Sequence, residues 1–201
     1  MERTQVEELV YEALETELGG VQVYTTALRC VQNEDLKEEW EEYLEQTNRH
    51  VEIMKGVCEQ FGLDTKKETP GRQIVRSKGK ALVAAMEMAL KGGNPEAAEL
   101  VACECVVDAE TKDHQNWELM RMVSEKLTGE EKKALSEACD EVEEQEDEHL
   151  YHTQGWCREL WVQSLGLPAQ LPPPEEEKDV KTAIGAARAK QARTPSRSAT
   201  R

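Results

Sequence analysis

The sharpest chemical signal in the sequence is a glutamate followed three residues later by a histidine, Glu146-Asp147-Glu148-His149. On a helix turning about 100° per residue these two side chains share a face. The carboxylate can then bridge two metal ions while the imidazole binds one of them. The pair lies on an apolar stripe between Val142 and Thr153, and similar intrusions recur on three other stripes. Glu17 falls seven residues after Val10 and four before Val21, with Tyr24 seven further on. Thr47 and His50 sit between Tyr43 and Met54, and Glu110 and Asp113 between Val106 and Trp117. Helical angles put Asp113 near the centre of its stripe and Glu110 nearer the edge. A carboxylate buried without a partner is costly, so an inward set of acids and imidazoles requires one. In the core of a helical bundle the usual partner is a pair of metal cations.

Four long segments carry these residues, each with a helical apolar period. The first runs from about Val6 to Val31 and the second from about Leu36 to Phe61, where Gly62 stands as a terminating glycine. The third starts at Pro95, a first-turn proline, and reaches about Leu127. The fourth extends from about Glu130 to Ser164. Asn33-Glu34-Asp35 and Thr128-Gly129-Glu130-Glu131 are short turns, whereas residues 63–94 form a long connection with a short helix expected near Lys80 to Lys91. No strand-like alternation occurs. The reading is an all-α chain: a four-helix bundle of two antiparallel hairpins joined by a long crossover, over residues 1–166.

Composition narrows the function classes. The chain has 201 residues, 33% of them charged, and a net charge of −16. Its mean hydropathy is −0.71. No apolar run spans a membrane, and the first residues lack the apolar segment of a secretory signal, so a cytoplasmic location is expected. Nucleic acid is a poor partner for so acidic a body. The six cysteines form no Cys-x-x-Cys pair and are expected to be reduced, mostly buried thiols. Residues 167–177 read as a stiff Pro/Glu linker, and residues 178–201 as a basic, disordered tail. The tail carries +6 against −22 for the rest. It is the one segment suited to an acidic partner, whether a protein or nucleic acid.

Taken together, Glu17 with Tyr24, Glu110-x-x-Asp113 and Glu146-x-x-His149 on four helices resemble the ferritin-like di-iron carboxylate proteins, of which rubrerythrin, bacterioferritin and small stress-induced ferritin-like proteins are the nearest types. The resemblance covers about residues 5 to 160. It implies Glu17, His50, Glu110, Glu146 and His149 as iron ligands, with Asp113 standing where rubrerythrin-like third helices carry an extra acid and Trp117 where a Tyr is common. It further implies a two-iron site, with manganese as the other candidate, and a homodimer. The activity implied is that of an oxidoreductase acting on O2 or peroxide, or a ferroxidase, in stress response or iron handling. The second helix departs from the pattern: Thr47-Asn48-Arg49-His50 has Thr47 where a carboxylate is expected, with Glu42 and Gln46 only on the flank.

The competing reading is a bundle with a degenerate metal site that acts as a binding module through its tail. Glu143, Glu144 and Glu148 are expected on a wet face and His114 exposed. His152 is placed on the flank, as a hydrogen-bonding neighbour of the site or a bystander.

Overall fold

The computed structural model describes residues 1–170. The expected linker beyond Gln170 and the basic tail lie outside the described residues. Five helices and no strand occur among them: α1 (Arg3–Ala27), α2 (Glu34–Gln60), α3 (Pro70–Lys91), α4 (Pro95–Ser124) and α5 (Gly129–Ser164). Local chemistry sets most of the boundaries. The Asn33, Thr69 and Asn94 side chains accept from the backbone N–H three residues on, and Pro70 and Pro95 occupy the first turns of α3 and α4. Gly62 follows α2 at φ 66°, a left-handed conformation that an L side chain resists.

Cross-helix contacts fix the directions. Arg3 at the start of α1 donates to the carbonyl of Phe61 just past α2 (3.3 Å) and pairs with Glu131 at the start of α5 (2.7 Å). Gln32 and Asn33, just past α1, donate their backbone N–H groups to Glu99 near the start of α4 (2.8 and 2.7 Å). Glu39 on α2 meets Trp156 on α5, and Glu104 on α4 meets Trp161. Thus α1 runs opposite to α2 and α4, and α5 opposite to both as well. α1 packs on α2 and α4, and α5 on the same two helices, with α1 opposite α5 and α2 opposite α4.

Because α2 and α4 run the same way, the chain must travel the full length of the molecule between them. α3 makes that journey, lying across α1 and α4. It is a 22-residue helix from Pro70 rather than the short one expected near Lys80. Its first half escaped the apolar pattern because an ion cluster anchors it. Buried Arg72 donates to Glu15 (2.8 and 3.0 Å) and to the carbonyls of Thr65 (2.7 Å) and Lys67 (2.9 Å). Arg76 reaches the same Glu15 carboxylate (2.6 and 2.9 Å). Glu8 on α1 accepts from the Gly71 N–H (2.7 Å) and the Thr69 hydroxyl (2.8 Å), placing a carboxylate at the positive end of α3. A Cβ on Gly71 would stand 2.3 Å from that carboxylate, so this contact requires glycine.

The apolar interior is divided in two. Tyr24, Trp40, Met86, Val106 and Trp156 belong to one cluster, and Val10, Leu14, Met54, Trp117 and Leu135 to the other. None of the six cysteines is in a disulfide, and five of them are buried. Burial pushes Cys58, Cys105 and Cys157 up to about 11 and Cys139 to about 12, which makes them poor nucleophiles. Among the described residues no helix is long and apolar enough to cross a membrane.

Replacing Arg72 with Met strands Glu15 in the interior with Arg76 as its remaining cation and leaves two carbonyls unpaired. Denaturant titration should show a loss of about 3 kcal/mol. A loss below ~1 kcal/mol would mean that apolar contact alone holds α3.

Candidate metal centre

The level between the two apolar clusters is polar. Glu17, His50, Glu110, Asp113, Glu146 and His149 are all buried, from 0% exposed at Glu17 to 4% at Asp113. The helical periods foresaw this burial, and the structure resolves the set into two groups that could each hold a metal ion. One is Glu17, His50 and Glu146, and the other Glu110, Glu146 and His149. Within each group the ligand atoms lie within 4.8 Å of one another, and Glu146 belongs to both. Asp113 belongs to neither, although its helical angle placed it more centrally than Glu110.

The imidazoles face the carboxylates through Nδ1. His50 Nδ1 lies 3.1 Å from Glu146 Oε1 and 3.6 Å from Glu17 Oε2. His149 Nδ1 lies 3.5 Å from Glu146 Oε1 and 3.6 Å from Glu110 Oε2. Despite these distances neither Nδ1 makes an aligned hydrogen bond, and Glu17 Oε2, Glu110 Oε2, Glu146 Oε2 and Asp113 Oδ1 are also without partners. Buried polar atoms are normally satisfied. Here all but Asp113 belong to the two groups, arranged as ligands are around an ion, so the residues present fit a pair of divalent cations sharing Glu146.

The outer ring nitrogens are held reciprocally. His50 on α2 donates from Nε2 to Gln145 Oε1 on α5 (2.7 Å), and His149 on α5 donates from Nε2 to Gln46 Oε1 on α2 (2.6 Å). Such outer contacts hold the Nε2 proton in place, so that loss of the other proton on metal binding would leave the Nδ1 lone pair facing inward. Gln46 therefore reaches into the site instead of staying on the flank. The sequence contained the signal as a repeated spacing, Gln46-x-x-x-His50 and Gln145-x-x-x-His149. The other pair of helices also matches. Trp117, seven residues after Glu110, donates its indole N–H to Glu17 (2.9 Å). Tyr24, seven after Glu17, is a phenol that burial and the charge of Glu110 hold well above its usual range.

Thr47 breaks this approximate twofold. It stands three residues before His50, as Glu146 stands before His149, but its hydroxyl donates to the Tyr43 carbonyl (2.8 Å). It also packs so closely on α1 that a Cβ on Gly20 would lie 3.1 Å from its methyl group. Only one carboxylate, that of Glu146, is common to the two groups, and Thr47 offers none opposite it.

Two histidines depart from or refine their sequence placement. His114 is not exposed: it is partly buried and its Nε2 pairs with Asp147 (2.7 Å). His152 is buried beside the site and shares Glu39 with Tyr43, at 2.6 Å to the histidine and 2.7 Å to the phenol. The Tyr43 ring lies 4.2 Å from the His149 ring, so this cluster buttresses that imidazole.

Charge among the buried groups is unevenly shared. Burial pulls the His50 imidazole down, but the Glu146 and Glu17 carboxylates outweigh it and raise it to about 11. For His149 the Glu110 and Glu146 carboxylates outweigh burial and raise it to about 9. Burial pushes Glu146 up, yet the two imidazoles bring it down to about 2. Glu17 is raised to about 7 by burial. Asp113 is held well above the carboxylate range by burial and by the charges of Glu17, Glu146 and Glu110.

Comparison with protein-family models, with curated proteins and with solved structures found no match to this chain.

These shifts give the metal-free protein a definite pH response. Raised imidazoles stabilise fully below their ordinary value of 6.5, and that contribution is lost as pH rises through about 9 for His149 and about 11 for His50. Glu17, raised to about 7, acts in the same direction. Glu146, lowered to about 2, loses its contribution only in strong acid. Denaturation midpoints of metal-stripped protein should therefore fall from pH 7 to pH 9.5, and His149→Gln should flatten the fall. Parallel profiles for variant and wild type would show that the imidazole is not paired with these carboxylates.

Proposed function

We propose that the protein is a ferritin-like iron-binding protein whose two-metal centre supports ferroxidase or peroxidase-type chemistry. The observation that carries this reading is the convergence of buried, partnerless ligand atoms into two groups that share Glu146. One ion would be held by Glu17, His50 and Glu146, the other by Glu110, His149 and Glu146. Carboxylate and imidazole donors without a thiolate suit iron or manganese and give little reason for copper(I) or a structural zinc. The proposed arrangement of α1, α2, α4 and α5 is the ferritin-like one, with α3 as the crossover; the opposed helix directions and one ligand or more from each of the four support it.

Iron held there would supply cycling between +2 and +3 and electron transfer to dioxygen or peroxide. The chain's own residues prepare that chemistry. Gln46 and Gln145 orient the imidazoles, and the indole N–H of Trp117 fixes the terminal carboxylate of Glu17. Asp113, neutral beside three other carboxylates, holds a proton at the edge of the site. The Tyr24 phenol keeps its proton next to Glu110. With Thr47 in place of a second bridge, the two ions would be joined by Glu146 alone, which leaves more of each coordination sphere open to small oxidants.

Anaerobic titration with ferrous ion should saturate at about two ions per chain, and Glu146→Ala combined with His149→Ala should abolish most of that uptake. Thr47→Glu, provided the Gly20 contact yields, should tighten the weaker ion by roughly tenfold through the added carboxylate. Equal iron in the wild type and the double variant would overturn the assignment.

A further inference from the structure

A cavity of about 280 Å³ opens between α4 and α5 and ends on the metal centre. Its walls include Trp117 and Glu146. Trp117 is the residue that donates to Glu17, and Glu146 is the carboxylate common to both ligand groups. Toward solvent the walls become His114, Glu143, Asp147 and Glu118. Side-chain exposure rises along this path, from 2% at Glu146 through 16% at His114 and 50% at Asp147 to 67% at Glu118. Carboxylates thus descend stepwise from the surface to a buried acid that retains an unpartnered oxygen, Glu146 Oε2.

The cations beside these acids are unevenly placed. Arg121 grips Glu143 with two nitrogens, at 2.7 to 3.0 Å, and also reaches Asp140. Asp147 and Glu118 instead face His114, one on each ring nitrogen, at 2.7 and 4.0 Å. The space is several times that of a water molecule, so a cation can enter with part of its hydration shell. Acidic walls on a narrow cleft concentrate cations and repel anions.

We infer that this cavity is an outer divalent-cation subsite, with Asp147, Glu118 and His114 as transient ligands, through which metal reaches Glu146. The inference rests on the two-metal reading above and adds to it a route and a loading step. A subsite of this kind changes how fast metal arrives and leaves, and leaves the final affinity alone, because a route lowers the barrier equally in both directions.

The test uses cobalt(II) as the probe on the full chain, following its absorption during anaerobic stopped-flow mixing, with equilibrium titration in parallel. Asp147→Asn with Glu118→Gln should slow association by about tenfold at low salt, with stoichiometry and affinity unchanged and the difference shrinking as salt is added. Glu38→Gln with Glu41→Gln removes the same charge at exposed positions on α2 and should leave the rate near that of the wild type. Unchanged kinetics in the cavity variant, or equal slowing in the α2 control, would overturn the route while leaving the centre standing. A wild type that binds no cobalt would overturn both. Thermal melting of the variants checks that the exposed substitutions leave the fold intact.

Discussion

The structure depends on one expensive layer: four carboxylates and two imidazoles held between two apolar clusters. Neither cluster supplies partners for such groups, and burial of an uncompensated ion costs more than most single contacts return. Without metal, the layer manages its charge by redistribution. Both imidazoles stay protonated, Glu146 stays ionised between them, and Asp113 stays neutral. That compromise leaves ligand atoms facing one another without aligned hydrogen bonds. Two divalent ions would take the place of the imidazole protons, meet the charge of Glu17, Glu110 and Glu146, and occupy the points on which those atoms converge.

The demands of this layer reach outward through the fold. Each of the four helices around it contributes at least one acid or imidazole, so the helices have to be in register to within about a turn. The reciprocal glutamines tie α2 to α5, and the Trp117 indole ties α4 to α1. Along the remaining length, register is kept by polar ties near the ends, such as Glu99 on the backbone past α1 and Glu39 between Tyr43 and Trp156. Helix α3 is tied to α1 by ionic contacts along its first half, whereas its second half packs Leu82, Val83 and Met86 against the apolar cluster around Tyr24. Glu15 with Arg72 and Arg76 belongs to this ionic tie and lies away from both ligand groups.

Much of this was legible in the residues alone. Four helical periods with polar intrusions predicted which acids and histidines turn inward, because a side chain's angle about a helix follows from its position. Finer placement was less legible. Asp113 read as more central than Glu110, yet it is Glu110 that meets His149, since the outcome depends on how α4 is rotated against α5. Gln46 looked like a flank residue because a long side chain reaches inward from a position whose Cβ does not. His114 read as exposed because the wheel of α4 says nothing of Asp147 on the next helix. The first half of α3 was missed for another reason: buried arginine carries no hydrophobic signal, and the pattern counts apolar residues only.

The most direct measurement is anomalous diffraction from crystals loaded anaerobically with ferrous or cobaltous ion, recorded on either side of the metal's absorption edge. Two peaks about 3.5–4 Å apart are expected. One should sit against Glu17 and His50, the other against Glu110 and His149, with Glu146 bonded to both. A layer without anomalous density, or density that leaves Glu146 unbound, would contradict the two-metal centre.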